Sequence, residues 1–192
     1  MEEHSNLKKE MEVRIALEAQ LKKAANTDSL TQIMNRGALW KAANNEWRNQ
    51  LKINQSFSFA IIDIDNFKEI NDKYGHPTGD EVIKHVVKIC CQRIRSTDKI
   101  GRMGGEEFAI VMLNTNAVDV LNIAERIRYE IEHSPLVHNK KIIHCTISMG
   151  IYTAEEKQQQ SLEDIYRKAD QALYLAKNYG RKQVKVWQSS LG

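Results

Sequence analysis

The chain has 192 residues, 42% hydrophobic and 28% charged, which suits one globular core and is the profile of an ordinary soluble protein rather than a disordered one. Its net charge of +3 is spread along the chain, too mild for a nucleic-acid-binding protein but compatible with a local cationic pocket for phosphates. No apolar run approaches the roughly 18–20 residues that span a bilayer. Residues 1–10 lack the apolar core of a signal peptide, and no membrane contact by these residues is expected. Cys90, Cys91 and Cys145 have neither zinc nor disulfide spacing, so they are expected as free thiols in a reducing cytoplasm, one of the adjacent pair buried on a helix.

Residues 5–25 are rich in Lys, Glu, Ala and Leu, lack Gly and Pro, and read as one helix. Leu7, Met11, Leu21 and Ala25 form a stripe that Arg14 and Glu18 interrupt. Two readings stay open: a helix packed on its own domain, or a stalk that pairs two protomers. Asn26-Thr27-Asp28-Ser29 then breaks the helix, dividing a segment over residues 1–26 from a domain over 27–192. A helix is expected over 36–51, a strand over 57–64, and a loop containing Gly75, Pro77 and Gly79. Next come an amphipathic helix over 80–94, a strand over 106–113 after a double-glycine turn, and a helix over 117–132. A strand over 142–152, a helix over 162–178 and a short strand over 184–187 complete the chain. Helices interleave with strands, yet the glycine turn implies a hairpin inside the sheet. The class is therefore α+β, one largely antiparallel sheet covered by helices.

Three fragments can carry chemistry. In the strand FSFAIIDIDNFK, a period of two puts Phe57, Phe59, Ile61, Asp63 and Asp65 on one face. An apolar face ending in two carboxylates either meets a divalent cation or simply ends in water. In Met103-Gly104-Gly105-Glu106-Glu107-Phe108 the glycines permit a tight turn, and Glu106 is expected to open the strand on the face of Phe108 and Ile110. An ordinary hairpin with exposed glutamates reads the same way. In the third fragment, the amides after the strand and Lys68 can cradle phosphates, while Asn71 and Asp80 offer guanine-matching donors and acceptors. Alternatively Asp80 only caps a helix, and Lys177 and Arg181, around Gly180, only answer a helix dipole.

Taken in order, Asp28-Ser29-Leu30-Thr31, Asn35-Arg36, DIDNFKEINDKYGHPTGD, RSTDKIGRMGGEEF, TISMGI and ADQALYLAKNYGR resemble the GGDEF family of diguanylate cyclases over nearly all of residues 27–187. The resemblance implies a five-stranded sheet like that of adenylyl cyclase and the polymerase palm, and marks residues 27–192 as the catalytic domain. It implies Asp63, Glu106 and the Ile64 carbonyl as ligands of Mg²⁺ (Mn²⁺ as an alternative). Lys68, Lys177 and Arg181, with amides near Asn66 and Phe67, become triphosphate contacts, and Asn71 and Asp80 the guanine readers. Glu107 becomes a second required acid with a role in metal binding. The implied reaction joins two GTP into cyclic di-GMP in a homodimer, one GTP per protomer, with an upstream sensor outside this chain. The implied location is cytoplasmic, as part of a larger receptor. Arg95-Ser96-Thr97-Asp98 matches the family's inhibitory RxxD site for cyclic di-GMP, with Arg126 as a further contact. Three departures stand out: Glu106 replaces Asp, Met103 an aromatic residue and Lys182 an Asn. A receptor module without activity, a purely dimerising domain and another nucleotidyl cyclase are the rival readings. The retained carboxylates, glycines and guanine pair oppose them.

Overall fold

The computed structural model describes residues 2–154 and 160–188, with side chains from Glu10 onward. In chain order it has α1 (Glu2–Asn26), β1 (Met34–Asn35), α2 (Arg36–Ile53), β2 (Phe57–Ile64), α3 (Phe67–Tyr74), α4 (His76–Arg93) and β3 (Lys99–Gly104). There follow β4 (Glu107–Leu113), α5 (Ala117–His133), β5 (Leu136–His138), β6 (Lys141–Ile143), β7 (Ile147–Ala154), α6 (Leu162–Asn178) and β8 (Val184–Val186). One sheet runs β1-β3-β4-β2-β7-β8, antiparallel in its centre and parallel only at its two edges. The α+β expectation holds, with six strands rather than five. The two-residue β1 is too short to leave any periodic pattern in the sequence, and β3, with two glycines among six residues, leaves little more.

β2 is buried on both faces because helices cover both sides of the sheet. Phe57, Phe59 and Ile61 pack with Leu39, Trp47, Ile165 and Leu173 from α2 and α6. Ala60, Ile62 and Ile64 pack with residues of α3, α4 and α5. Gly150 lets α6 lie directly on β7, since a Cβ there would sit 2.1 Å from the Leu173 nitrogen. That contact sets the height of α6 over the sheet, and hence where its last turn ends.

Several boundaries differ from the expected ones. α4 begins at His76, four residues before the expected start, because Gly75 at φ +88° ends α3 and Pro77 can open the next helix. α3 itself was expected as loop; it has eight residues and only Phe67 and Ile70 buried, too little for a visible period. The expected strand over 142–152 is two: β6 pairs with β5 in a separate hairpin, and the chain breaks at His144–Thr146 before β7.

From Glu10 to Asn26 every residue of α1 is exposed, including Met11, Val13, Ile15, Leu17 and Leu21. This rules out the packed-helix reading for that stretch; Leu7 lies outside the described side chains. Arg14 and Glu18, which interrupt the stripe, pair with each other at 3.0 Å. The helix joins the domain through Asn35, whose side chain donates to the Ala25 carbonyl at 2.8 Å and accepts from the Ala38 amide at the start of α2. The described cysteines are free: Cys90 and Cys145 are buried, Cys91 exposed. Among the described residues no helix is long and apolar enough to cross a membrane.

Candidate active site

The site forms where β2 ends beside the β3–β4 turn. Antiparallel register sets Asp63 opposite Glu107, and the Ile64 amide faces the Glu106 carbonyl at 3.4 Å. Gly105 takes φ +43° in the turn, a conformation that side-chain-bearing residues rarely adopt. Glu106 occupies the turn itself and β4 starts at Glu107. The expectation that Glu106 opens the strand is therefore corrected. Phe108 and Ile110 face α4 and α5, whereas Ala109 and Val111 face α2 and α6. Glu107 thus shares the face of Asp63, and Glu106 reaches the site from the turn. The register skips Met103 between Arg102 and Gly104, and the Met103 side chain is buried in the α2–α6 cluster, filling space with a flexible chain.

Asp63, Glu106, Glu107, Gly104 and Gly105 line a cleft of about 390 Å³, closed by Met103, Arg36 and Tyr166. Lys177, at the end of α6, reaches Asp63 Oδ2 at 2.7 Å. Burial nevertheless holds the Asp63 carboxyl above the usual carboxylate range, and the charges of Glu106 and Asp65 add to the rise against Lys177. Burial also raises Glu107, helped by Asp63 and Asp170 and opposed by Lys177 and Arg36. A cleft that discourages its own carboxylates from ionising is short of positive charge. Among the described residues no three His, Cys, Asp or Glu side chains form a complete metal cage. Two carboxylates plus backbone oxygen fit a hard cation that takes its remaining ligands from phosphate.

The structure separates the two aspartates of β2. Asp65 is buried and accepts from Thr146 Oγ1 at 2.7 Å, Ser148 Oγ at 2.6 Å and the Lys182 amide at 3.0 Å. It ties the end of β2 to β7 and to the chain after α6, and the reading of Asp63 and Asp65 as one cation pair is not sustained. Lys182 uses its backbone there, while its ammonium pairs with Glu132 of α5 at 2.6 Å.

Lys68 and Arg181 are exposed, and their side chains make no hydrogen bond or ion pair among the described residues, while the Arg181 amide donates to the Ala176 carbonyl at 3.0 Å. Asn66, at φ +53°, turns the chain into α3, whose first amides lack intrahelical acceptors; the Phe67 ring is buried. Asn71 lies against Gly79: a Cβ at residue 79 would sit 1.9 Å from Asn71 Oδ1. That oxygen is buried without a hydrogen-bond partner, and the next residue is exposed Asp80. Asp80 lies inside α4 and is not its cap. An orphaned amide beside a free carboxylate fits a ligand with paired donors and acceptors.

Arg95, Asp98 and Arg126 meet different fates. Arg95 and Arg126 are exposed. Asp98 is buried, accepting from the Arg95 amide at 2.9 Å and the Leu113 amide at 3.4 Å, so it orders the turn before β3. Beside them Arg93 donates to Glu130 Oε1 at 2.8 Å, linking α4 and α5.

Sequence reasoning missed Arg36 and Tyr166 as site residues, because neither belongs to a charged or glycine-rich cluster. It also missed Arg102, which donates to the Gly105 carbonyl at 2.9 Å and pairs with Asp28 at 3.2 Å. Asp28 in turn accepts from the amide and hydroxyl of Thr31. One chain of contacts thus runs from the end of α1 to the glycine turn.

A fold of this order, with acids on a glycine hairpin and cations on the helix over it, is that of the GGDEF domain. The family model for the GGDEF domain of diguanylate cyclases matches residues 25–183, and the chain belongs to that family. A diguanylate cyclase of Vibrio cholerae is 39% identical over 177 residues, covering 92% of this chain and 54% of that protein. Diguanylate cyclase DosC of Escherichia coli is 38% identical over 165 residues, covering 85% and 35%. The chain spans about half or less of the length of these two relatives. Among solved structures, the coiled coil and GGDEF domain of DgcB from Caulobacter crescentus, in complex with c-di-GMP, superposes with TM-score 0.89 at 29% identity, over 95% of this chain and 96% of that one. The active GGEEF domain of a diguanylate cyclase from Vibrio cholerae gives TM-score 0.76 at 36% identity, over 81% and 98%.

Proposed function

We propose that this chain is the catalytic domain of a diguanylate cyclase that condenses two GTP into cyclic di-GMP and two pyrophosphates. The observation that carries the reading is the cleft in which Asp63 stands opposite Glu107 and beside Glu106, with Lys177 on Asp63. The named diguanylate cyclases among its relatives support it. In each half-reaction the 3′-hydroxyl of one GTP attacks the α-phosphorus of the facing GTP. The bond from α-phosphorus to the bridging oxygen breaks, and pyrophosphate leaves. Such displacement needs in-line positioning and charge neutralisation more than covalent help.

Asp63, Glu106 and the Ile64 carbonyl would hold Mg²⁺, or Mn²⁺ in its place, which when bound neutralises charge on the phosphates. Lys68, Lys177, Arg181 and the first amides of α3 bind the triphosphate, and Asn71 and Asp80 read guanine. Glu107 completes the acidic end of the cleft. One cleft takes one GTP, so two protomers face each other, paired through the exposed side chains of α1. Arg95 and Arg126 offer the cations for product bound at an inhibitory site, while Asp98 shapes the turn that presents Arg95. A cytoplasmic setting downstream of a separate sensor completes the reading.

The test incubates the chain with GTP and Mg²⁺ at rising protein concentration and separates the nucleotides. Cyclic di-GMP formed at a rate per protomer that climbs with concentration is the expected result. GTP binding without product at any concentration would instead mark a receptor module.

A further inference from the structure

We propose that Tyr166 is a positioning residue for Glu107, its phenol donating to the carboxylate so that the acid is held in the cleft. The inference rests on the cyclase reading of that cleft. Tyr166 lines the cleft together with Glu107, whose carboxylate is near enough to act on the phenol. Its ring is fixed by two edge contacts, to Trp40 at 5.6 Å and to fully buried Phe59 at 5.8 Å, so aromatic packing sets where the hydroxyl sits. Tyr166, Asp170 and Lys177 follow one another on α6 at spacings of four and seven, which places them on one stripe of the helix.

The neighbours explain why a neutral donor is useful there. Glu107 has the negative groups Asp63 and Asp170 near it, while Lys177 is engaged by Asp63. Arg36 is the other cation beside Glu107, and it is exposed. A phenol orients the carboxylate without neutralising it, leaving its charge for the ligands of the cleft.

The experiment uses the full chain and two readouts. Cyclic di-GMP synthesis is followed at saturating protein concentration for wild type and Tyr166→Phe, which keeps the ring on Trp40 and Phe59. The expected result is a kcat about 10-fold lower, the size of one well-aligned hydrogen bond, with KM for GTP and Tm unchanged. A wild-type kcat in Tyr166→Phe, or a loss accompanied by an equal fall in Tm, overturns the proposal. The second readout needs no turnover: the ¹³Cζ resonance of Tyr166, assigned by its disappearance in Tyr166→Phe, is compared with and without Glu107→Gln at constant neutral pH. A shifted resonance is expected, and an unmoved one refutes the contact even if the chain makes no product. Failure of the cyclase reading would appear separately, as a wild-type chain that yields no cyclic di-GMP.

Discussion

At the scale of single residues, the site concentrates negative charge that the protein by itself does not offset. Asp63 shows what this costs. Burial first, then Glu106 and Asp65, raise its folded pKa above the ordinary value of 3.8 despite Lys177. For a raised carboxylate, stability is fully present below the unfolded value and is lost as pH rises through the folded one. Asp63→Asn is therefore expected to raise Tm at pH 7 in metal-free buffer by roughly 1–3 °C, with no gain near pH 3. The same substitution should reduce cyclic di-GMP synthesis by at least about 100-fold, since a lost ligand or charge partner is worth several kcal/mol. Thermal scans at the two pH values, beside a synthesis assay, check both halves. Arg95 makes the opposite case, an exposed cation with no partner among the described residues. Arg95→Ala should leave initial synthesis intact and weaken product inhibition about 10-fold or more, as expected for a lost charge-assisted bond. Unchanged inhibition in a product titration would remove Arg95 from that role.

At the scale of elements, the guanine pair depends on how closely α3 meets α4. Asn71 is pressed onto Gly79, where an added methyl group would sit 1.9 Å from Asn71 Oδ1. Gly79→Ala should push the Asn71 amide out of place, lowering GTP affinity about 10-fold and costing about 1–3 kcal/mol of stability through overpacking. Calorimetric GTP titration and urea unfolding read the two effects. The helices on the other face matter as much. α6 brings Tyr166 and Lys177 to the cleft because Gly150 lets it settle on β7. The turn between α1 and α2 reaches the cleft through Asp28, Arg102 and the Gly105 carbonyl.

At the scale of the whole molecule, α1 stands clear of the domain with Met11, Val13, Ile15, Leu17 and Leu21 exposed. So many apolar side chains on an unpacked helix call for a partner surface. In the proposed dimer, deleting residues 1–26 should leave the rate at high protein concentration largely intact. At low concentration it should fall about 10-fold or more, because pairing and not chemistry is lost. Rates and sedimentation measured over a dilution series, with and without the helix, decide this.

The elements with strong local patterns were legible in the sequence. β2 is a largely apolar run, α6 starts at a Ser161 capping box, and the glycines before Phe108 mark the hairpin. The order of motifs also pointed to the family and to every residue proposed for metal, phosphate and base. What the sequence could not decide depends on contacts between distant segments. Alternation placed Asp63 and Asp65 together, yet Thr146, Ser148 and Lys182 take Asp65 into the frame. The sequence pattern singled out Glu106 as the strand-opening acid, and only the β2–β4 register set Glu107 opposite Asp63. Tyr166 carries no local mark at all; it becomes part of the cleft through the packing of α6 on the sheet. Residue type and short-range periodicity determine which groups exist and on which elements. Which of them share one low-dielectric cleft is set by register and helix packing, the long-range contacts that a linear pattern does not encode.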